Sequence, residues 1–421
     1  MSLRSHILHS IRSRGWLLLF STCVILINSR TLGAEGQGEI AWVQLGILLV
    51  TGFSGFIAGG AVVYLQQSIP LRSTILPGHI WLLISSVLAS LLGVSTGFLP
   101  AAYAYDIALL GWLQGIVVFH SQLLLGAQAV VWHNRLQVMQ TGLLVTGMVV
   151  AYFGWGWQSI DAFLAALLIS LACTTVVSTW KLRSLPHIDR AVPTSRVWTL
   201  LWKHGSASQS GALLQMLTNR TNFSLLAQQG MGGAAAAGVY SVAFYGLEAI
   251  WVAARGLAPV LHTRTAHTSD RQKRIEQTRA FLSLALVITT SLLVVAALIP
   301  DDLYTWVFGF GGIQPLIWCL GPAAIAGCKA SILAHHLSGI GQHRWNAWTS
   351  GLGLIVLIVS ASLLIPLHGT VGAALAASLA AIVQTGGLVA GWCQAEKAKA
   401  WDLWPQKGDW NIIRRRSGEV E

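Results

Sequence analysis

The sequence predicts an all-α integral membrane protein with twelve transmembrane helices in two pseudo-symmetric six-helix lobes and both termini in the cytoplasm. Three observations predict it. Of 421 residues, 54% are hydrophobic and only 10% charged, against about 25% charged in soluble domains, and mean hydropathy is +0.63. Twelve apolar runs reach the length of a membrane span, which is about 20 residues. Lys and Arg fall in alternate intervals between those runs, as they do when cytoplasmic loops retain positive charge.

The runs lie at roughly 14–32, 40–65, 79–99, 107–130, 137–156, 160–180, 206–228, 236–261, 280–300, 315–337, 346–366 and 370–392. The first follows Arg4, Arg12 and Arg14 and so resembles the charged and apolar regions of a signal peptide. Because further spans follow, it reads as a retained first helix. With the N-terminus inside, all but four of the 26 basic residues fall on the inner side. They are Arg4, Arg12, Arg14, Arg72, Arg135, Lys181, Arg183, Arg190, Arg196, Lys203, Arg264, Arg271, Lys273, Arg274, Arg279, Arg344, Lys397, Lys399, Lys407 and Arg414 to Arg416. The outer intervals carry Glu35, Glu39, Asp161, Asp301 and Asp302. One missed span would invert this alternation, so the charges support the count as well as the orientation. Tryptophan favours the membrane interface. Trp155 and Trp157 mark an outer edge, and Trp132, Trp198, Trp202, Trp345, Trp401 and Trp404 lie near inner edges or pack between helices.

The largest inner interval follows the sixth run. It divides the chain into an N-terminal lobe at 1–180, a cytoplasmic linker at 181–203, a C-terminal lobe at 204–393 and a basic cytoplasmic tail at 394–421. Repeats of this kind build many secondary transporters. Gly38-Glu-Ile-Ala follows the loop after span one, and Gly238-Val-Tyr-Ser occupies the matching place after span seven.

Other classes are excluded or disfavoured. The net charge of +11 sits in short intervals, with no basic tract interleaved with aromatics, which argues against nucleic-acid binding. Cys23, Cys173, Cys319, Cys328 and Cys393 lie in apolar runs without metal-ligand spacing or a disulfide framework. No phosphate-binding loop or metalloprotease motif is present, which argues against ATP-driven transport within this chain. His335-His336 and His343 read as interfacial residues at inner span ends. Gly55-x-x-x-Gly59, Gly111-x-x-x-Gly115 and Gly387-x-x-x-Gly391 permit close helix contact, within the chain or between copies.

Several segments together resemble a known family. Arg30-Thr-Leu-Gly-Ala-Glu-Gly-Gln-Gly38 resembles the signature after the first helix of polysaccharide flippases in the multidrug/oligosaccharidyl-lipid/polysaccharide exporter superfamily. Leu217-Thr-Asn-Arg220 with Gly238-Val-Tyr-Ser-Val-Ala243 is similar to the second-half pattern of that family. Gly339-Ile-Gly341, Ile365-Pro366, Gly369 and Gly372-Ala-Ala-Leu-Ala376 resemble its final turn, corner and small-residue helix. Spans three to six carry little that matches. The resemblance implies a non-enzymatic transporter in the cell (inner or plasma) membrane. It would flip a lipid-linked (polyprenyl-pyrophosphate) oligosaccharide from the cytoplasmic to the outer leaflet by alternating access, for surface polysaccharide export such as lipopolysaccharide or exopolysaccharide. The implied partners are that lipid-linked oligosaccharide, membrane lipids and polysaccharide assembly proteins. No cofactor is implied beyond a coupling proton or sodium ion.

Charges in hydrocarbon cost about 2.5–3.5 kcal/mol each on insertion scales, so those that remain pair, face a cavity or serve function. Arg30, Arg220, Arg255 and Lys329 are the basic residues that the inner intervals do not account for, and they are the candidate contacts for an anionic headgroup. Arg grips phosphate with a planar fork and Lys as a point charge. Glu248, mid-span, is the candidate for proton coupling. Asp106, at the outer start of span four, reads either as a cation site or as a solvated helix-end acid. Glu248 and Arg255 are separated by about 10.5 Å of helical rise, a stretch for a direct pair. The alternative for the group is an ion pair that only fixes helix packing.

Three other functions compete. A multidrug or cation antiporter of the same superfamily should line its cavity with carboxylates, and here cations outnumber buried acids. A polysaccharide polymerase or ligase needs a sizeable outer loop with catalytic Arg or His, and the outer intervals are short. A scaffolding protein would have no use for intramembrane charge.

Overall fold

The computed structural model describes residues 3–66, 69–185 and 192–406, and their side chains except those of 3–11, 14, 207, 208 and 253. Arg190, Lys407 and Arg414 to Arg416 lie outside the described residues, as do the side chains of Arg4 and Arg14. Among the described residues there are thirteen α-helices and no strand. In chain order they are α1 (Leu3–Ala58), α2 (Ala61–Leu65), α3 (Leu71–Ser95), α4 (Ala104–Gly126), α5 (Val130–Val149), α6 (Ile160–Arg183) and α7 (Thr194–Ala227). There follow α8 (Gly233–Ile250), α9 (Val252–His267), α10 (Arg271–Leu298), α11 (Asp301–Phe308), α12 (Ile313–Gly339) and α13 (His343–Glu396).

Among the described residues, nine helical segments are long and apolar enough to cross a membrane. Helices satisfy their own backbone polar groups, which hydrocarbon demands. Their outward faces are apolar: only 28% of the most apolar window of α10 is buried, and Leu83, Leu91, Leu92, Val176, Leu298 and Leu363 are exposed. Bare hydrocarbon on this scale faces lipid rather than water. This is a multi-pass protein of the cell membrane.

Two of the nine segments contain a break. Gly33 in α1 has φ 68° and ψ −168°, and Gly369 in α13 has φ 55° and ψ −128°. Both lie in a region that favours glycine. The first break coincides with the expected end of span one and the second with the boundary between the last two spans. The connections are shorter than the sequence suggests. Residues 34–39, read as loop, are helical, and Glu35 and Glu39 ride on the helix. The interval 181–203 is helical to Arg183 and again from Thr194, and 262–279 is helical except around 268–270. Span seven is absent from the nine because α7 is rich in polar residues, among them Gln215, Thr218, Asn219, Arg220, Asn222 and Ser224.

The described chain forms two compact units. One comprises Met1–Met216, Ala227–Gly238 and Val307–Phe310, and the other Leu217–Leu226, Val239–Trp306 and Gly311–Glu421. In the first, α1 packs on α3, α4 and α5, and α6 packs on α4 and α5. Its core includes Ile57, Leu82, Phe119, Leu123 and Leu201. In the second, α12 packs on α9, α10 and α13 around Leu261, Phe281, Ile332, Leu333 and Trp392.

Glycines make the close crossings. In the first unit a Cβ on Gly38 would lie 1.7 Å from the Ala234 carbonyl oxygen, and one on Gly238 would lie 1.8 Å from the Ala34 carbonyl oxygen. The contact is reciprocal: each glycine meets the residue four before the other. These are the two glycines at which the halves of the sequence show their similarity. The GxxxG runs also serve packing inside the chain. Gly55 faces Gln209, Gly111 faces Val50, Gly115 faces Leu82, Gly387 faces Thr349 and Gly391 faces Trp345.

Candidate functional site: an arginine–glutamate–arginine triad

In the second unit, α7, α8 and α9 bring three of the candidate charged residues together. Arg220 Nη2 donates to Glu248 Oε2 at 2.5 Å, and Arg255 Nη2 donates to Glu248 Oε1 at 3.3 Å. The exposures are graded, at 13% for Arg220, 20% for Glu248 and 51% for Arg255. The Glu248–Arg255 pair, which sequence spacing made a stretch, does form. The backbone stays helical through Trp251, whose N–H donates to the Leu247 carbonyl at 3.1 Å, so it is the length of the two side chains that closes the distance.

Aromatic rings surround the guanidinium of Arg220, with Phe223, Phe244 and Tyr245 centred 5.1–5.4 Å away. A cation over ring faces is held electrostatically, more strongly when desolvated. Arg220 Nη1 is buried without a hydrogen-bond partner among the described residues. Asn222, half a turn on, donates to Tyr240 Oη at 3.0 Å and to the Ala373 carbonyl at 2.9 Å, which fixes the rotation of this end of α7. Trp251, between α8 and α9, donates to the Ala324 carbonyl at 2.9 Å and lies against Gly327, while Arg255 lies 5.7 Å from its ring. One carboxylate therefore serves two guanidinium groups. The triad carries one uncompensated positive charge and presents Arg255 at its most exposed point.

The remaining candidates do not join the triad's ion pairs. Lys329 is half-buried on α12 and has no ion pair among the described residues. Arg30 is exposed in the first unit and donates from Nε to the Val307 carbonyl at 2.9 Å, at the C-terminal end of α11, where a cation is favoured. Asp106 occupies the first turn of α4, the position of a helix-end acid.

Sequence reasoning missed a second polar cluster in the second unit. Glu396, fully buried, accepts from Arg274 Nε at 2.8 Å and Nη2 at 2.9 Å, and pairs with His336 Nε2 at 3.0 Å. His336 Nδ1 meets Thr278 Oγ1 at 2.6 Å. His336, read as interfacial, is thus a buried joint between α10, α12 and the end of α13. The available signal was a lone acid just beyond the last apolar run, followed directly by Lys397 and Lys399. In the first unit His79 and His120 face each other through Nε2 at 3.2 Å, and His120 Nδ1 meets Ser178 Oγ at 2.8 Å. Outside the spans, the Asp301 carboxylate accepts from the N–H groups of Gly312, Ile313 and Gln314 at 2.7–3.0 Å and so caps α12. Partial burial pushes its pKa up, but those three hydrogen bonds prevail and hold it below the usual carboxylate value.

No protein-family model and no curated protein matches the chain. Solved structures do. An inward-facing multidrug resistance MATE family transporter of the MOP superfamily superposes with TM-score 0.75 at 14% identity, covering 90% of this chain and 95% of that one. Lipid II flippase MurJ, in an inward closed conformation, gives TM-score 0.70 at 12% identity, covering 94% and 89%. A MOP superfamily transporter from Pyrococcus furiosus, described as having a binding pocket of reversed polarity, gives 0.63 at 14%, covering 93% and 95%. The fold is therefore that of the MOP superfamily transporters.

Proposed function

We propose that this chain is a MOP-type transporter, not an enzyme, that flips a lipid-linked oligosaccharide from the cytoplasmic to the outer leaflet by alternating access. The reading extends to twelve spans with both termini in the cytoplasm. The two broken helices α1 and α13 support that count, since each is long enough for two spans of about 30 Å. The observation that carries the functional reading is the charge of the triad. Two arginines share one carboxylate, and a buried guanidinium nitrogen has its hydrogen-bonding capacity unused.

A pyrophosphate between lipid and sugar has the matching chemistry. Arg255 is the more exposed partner and holds Glu248 at the longer distance, so it is the first to turn to an arriving phosphate. Arg220 then retains Glu248, and the carboxylate is not left unpaired, which would be costly in this setting. Glu248 and Asp106 are the proposed groups for a coupling proton or sodium ion, and Arg30 and Lys329 are proposed as further headgroup contacts. Polysaccharide assembly proteins are the expected partners.

The test follows lipid-linked repeat units in a strain lacking the gene. Wild type should restore their appearance in the outer leaflet. Arg255→Ala and Arg220→Ala, expressed at normal levels, should leave them in the inner leaflet with at least about a tenfold loss of rate, since a charge-assisted contact contributes about 1.5–3 kcal/mol. Full activity in both variants overturns the assignment. The MATE likeness favours a second reading, export of drugs or cations. Increased drug susceptibility of the deletion strain with unchanged glycan export would establish that reading instead.

A further inference from the structure

We propose that the cleft between α1, α5 and α6 in the first unit binds the phosphate and glycerol of an anionic phospholipid. The cleft is a cavity of about 490 Å³, lined by Arg12, Trp16, Trp132, Arg135, Met139 and Val177 among others. Each of the three helices repeats one arrangement. Arg12 is followed four residues later by Trp16 and Arg135 by Met139, and Lys181 is preceded four residues earlier by Val177. Four residues are one helical turn, about 6 Å along the axis. Three cations therefore stand at one end of the three helices, with an apolar side chain one turn further from that end in each case. A phospholipid has the same gradation, from phosphate to glycerol to the first methylenes.

Trp132 organises the cations. The guanidinium of Arg135 and the ammonium of Lys181 lie 5.5 and 5.2 Å from its ring centre, which restrains two flexible side chains near the cavity mouth. None of Arg12, Arg135 and Lys181 pairs with a carboxylate among the described residues. The described acids of the first unit lie on other stretches of chain: Glu35 and Glu39 beyond the kink in α1, Asp106 in the first turn of α4, and Asp161 at the opposite end of α6 from Lys181. The site is thus an uncompensated positive cluster.

The cleft selects a lipid rather than a free ion. Cations alone would suffice for inorganic phosphate, whereas here they stand above an apolar floor of Leu136, Val138, Met139 and Val177. Trp16, 48% exposed, forms part of the wall on the lipid side. Indole rings prefer the level of glycerol and headgroup. Positive residues that merely retained a loop in the cytoplasm would not need to converge on an aromatic-lined cavity. The proposal requires only that the chain is embedded in a membrane, and it stands whether or not a lipid-linked glycan is the transported substrate.

The test uses the full-length protein, purified and delipidated. It is titrated with phosphatidylglycerol, phosphatidylcholine, inorganic phosphate and a polyprenyl pyrophosphate, and retained lipid is counted by native mass spectrometry beside the thermal midpoint. Phosphatidylglycerol should bind more tightly than phosphatidylcholine. Arg12→Gln and Arg135→Gln should each weaken it about fivefold, the effect of one basic residue near an anionic headgroup. Arg135→Lys should retain most of the affinity. Both arginines are exposed, so the variants should fold, and an unchanged elution volume checks this. Equal binding of the two phospholipids, or equal phosphatidylglycerol binding by wild type and the double Arg12→Gln/Arg135→Gln variant, overturns the proposal. So does a phosphate-only shift as large as that of the lipid, or tighter binding of the polyprenyl pyrophosphate.

Discussion

At the scale of the residue, the ionisable side chains fall into two kinds. Glu396 is fully buried and gripped by both Arg274 and His336, which leaves no partner to exchange. Such a group is structural. Removing one member of a buried pair leaves a charge stranded, at a cost of about 3–5 kcal/mol. Glu396→Gln should therefore lower the thermal midpoint sharply without a specific transport defect in the folded fraction. A well-packed double variant, Arg274→Met/Glu396→Met, should recover much of the loss. The triad behaves differently, because Arg255 is half-exposed and its bond to Glu248 is long. Asp301 adds a pH-dependent contribution. Its pKa is depressed in the folded protein, so the stability it confers is complete above the unfolded carboxylate value of about 3.9. That contribution is lost as pH falls through the lower, folded value. Wild type should thus be more stable than Asp301→Ala at neutral pH, and the difference between their thermal midpoints should vanish at strongly acid pH. A difference that persists unchanged below the folded value would count against the cap.

At the scale of the element, polarity inside a helix marks where the chain departs from a simple span. α7 is too polar to qualify as a span on hydropathy, yet Asn222 uses that polarity to bond two other elements, and Arg220 to bond Glu248. The triad residues were legible because charge in an apolar run is conspicuous. Their mutual pairing was not, because Arg220 comes from a different helix and the seven-residue separation of Glu248 and Arg255 is closed only by the reach of their side chains. The connection after span one was misread for a related reason. Arg30 to Gly38 contains three charged or amide residues and three glycines, the composition of a loop, but only Gly33 leaves helical geometry. The other glycines give close approach rather than a turn. Gly38→Val tests this, since its side chain would meet a backbone oxygen that no rotamer change removes. A loss of roughly 3 kcal/mol or more is expected, read as failure to reach a monodisperse folded state.

At the scale of the whole molecule, composition and charge alternation predicted the class of architecture, because the bilayer imposes length and polarity on every span alike. What they could not supply is tertiary. Glu396, His336 and Arg274 come together from positions far apart in the chain, each unremarkable in its local context. The likeness to both a MATE transporter and a lipid flippase has the same meaning. The same fold accompanies proteins of different described function, so the fold alone does not assign a passenger. The complementation assay with Arg220→Ala and Arg255→Ala is accordingly the measurement that separates the readings at this scale.

The crossing at Gly38 and Gly238 also sets a limit on mutational tolerance. Any single codon change that alters either residue adds at least a Cβ, and each Cβ would fall within 2 Å of a main-chain oxygen. A saturation library selected for function should therefore retain glycine almost alone at these two positions. It should accept nearly every apolar residue at Leu91 or Leu363, where the side chain points outward. Read from such a library, the molecule would show two invariant points on a permissive surface.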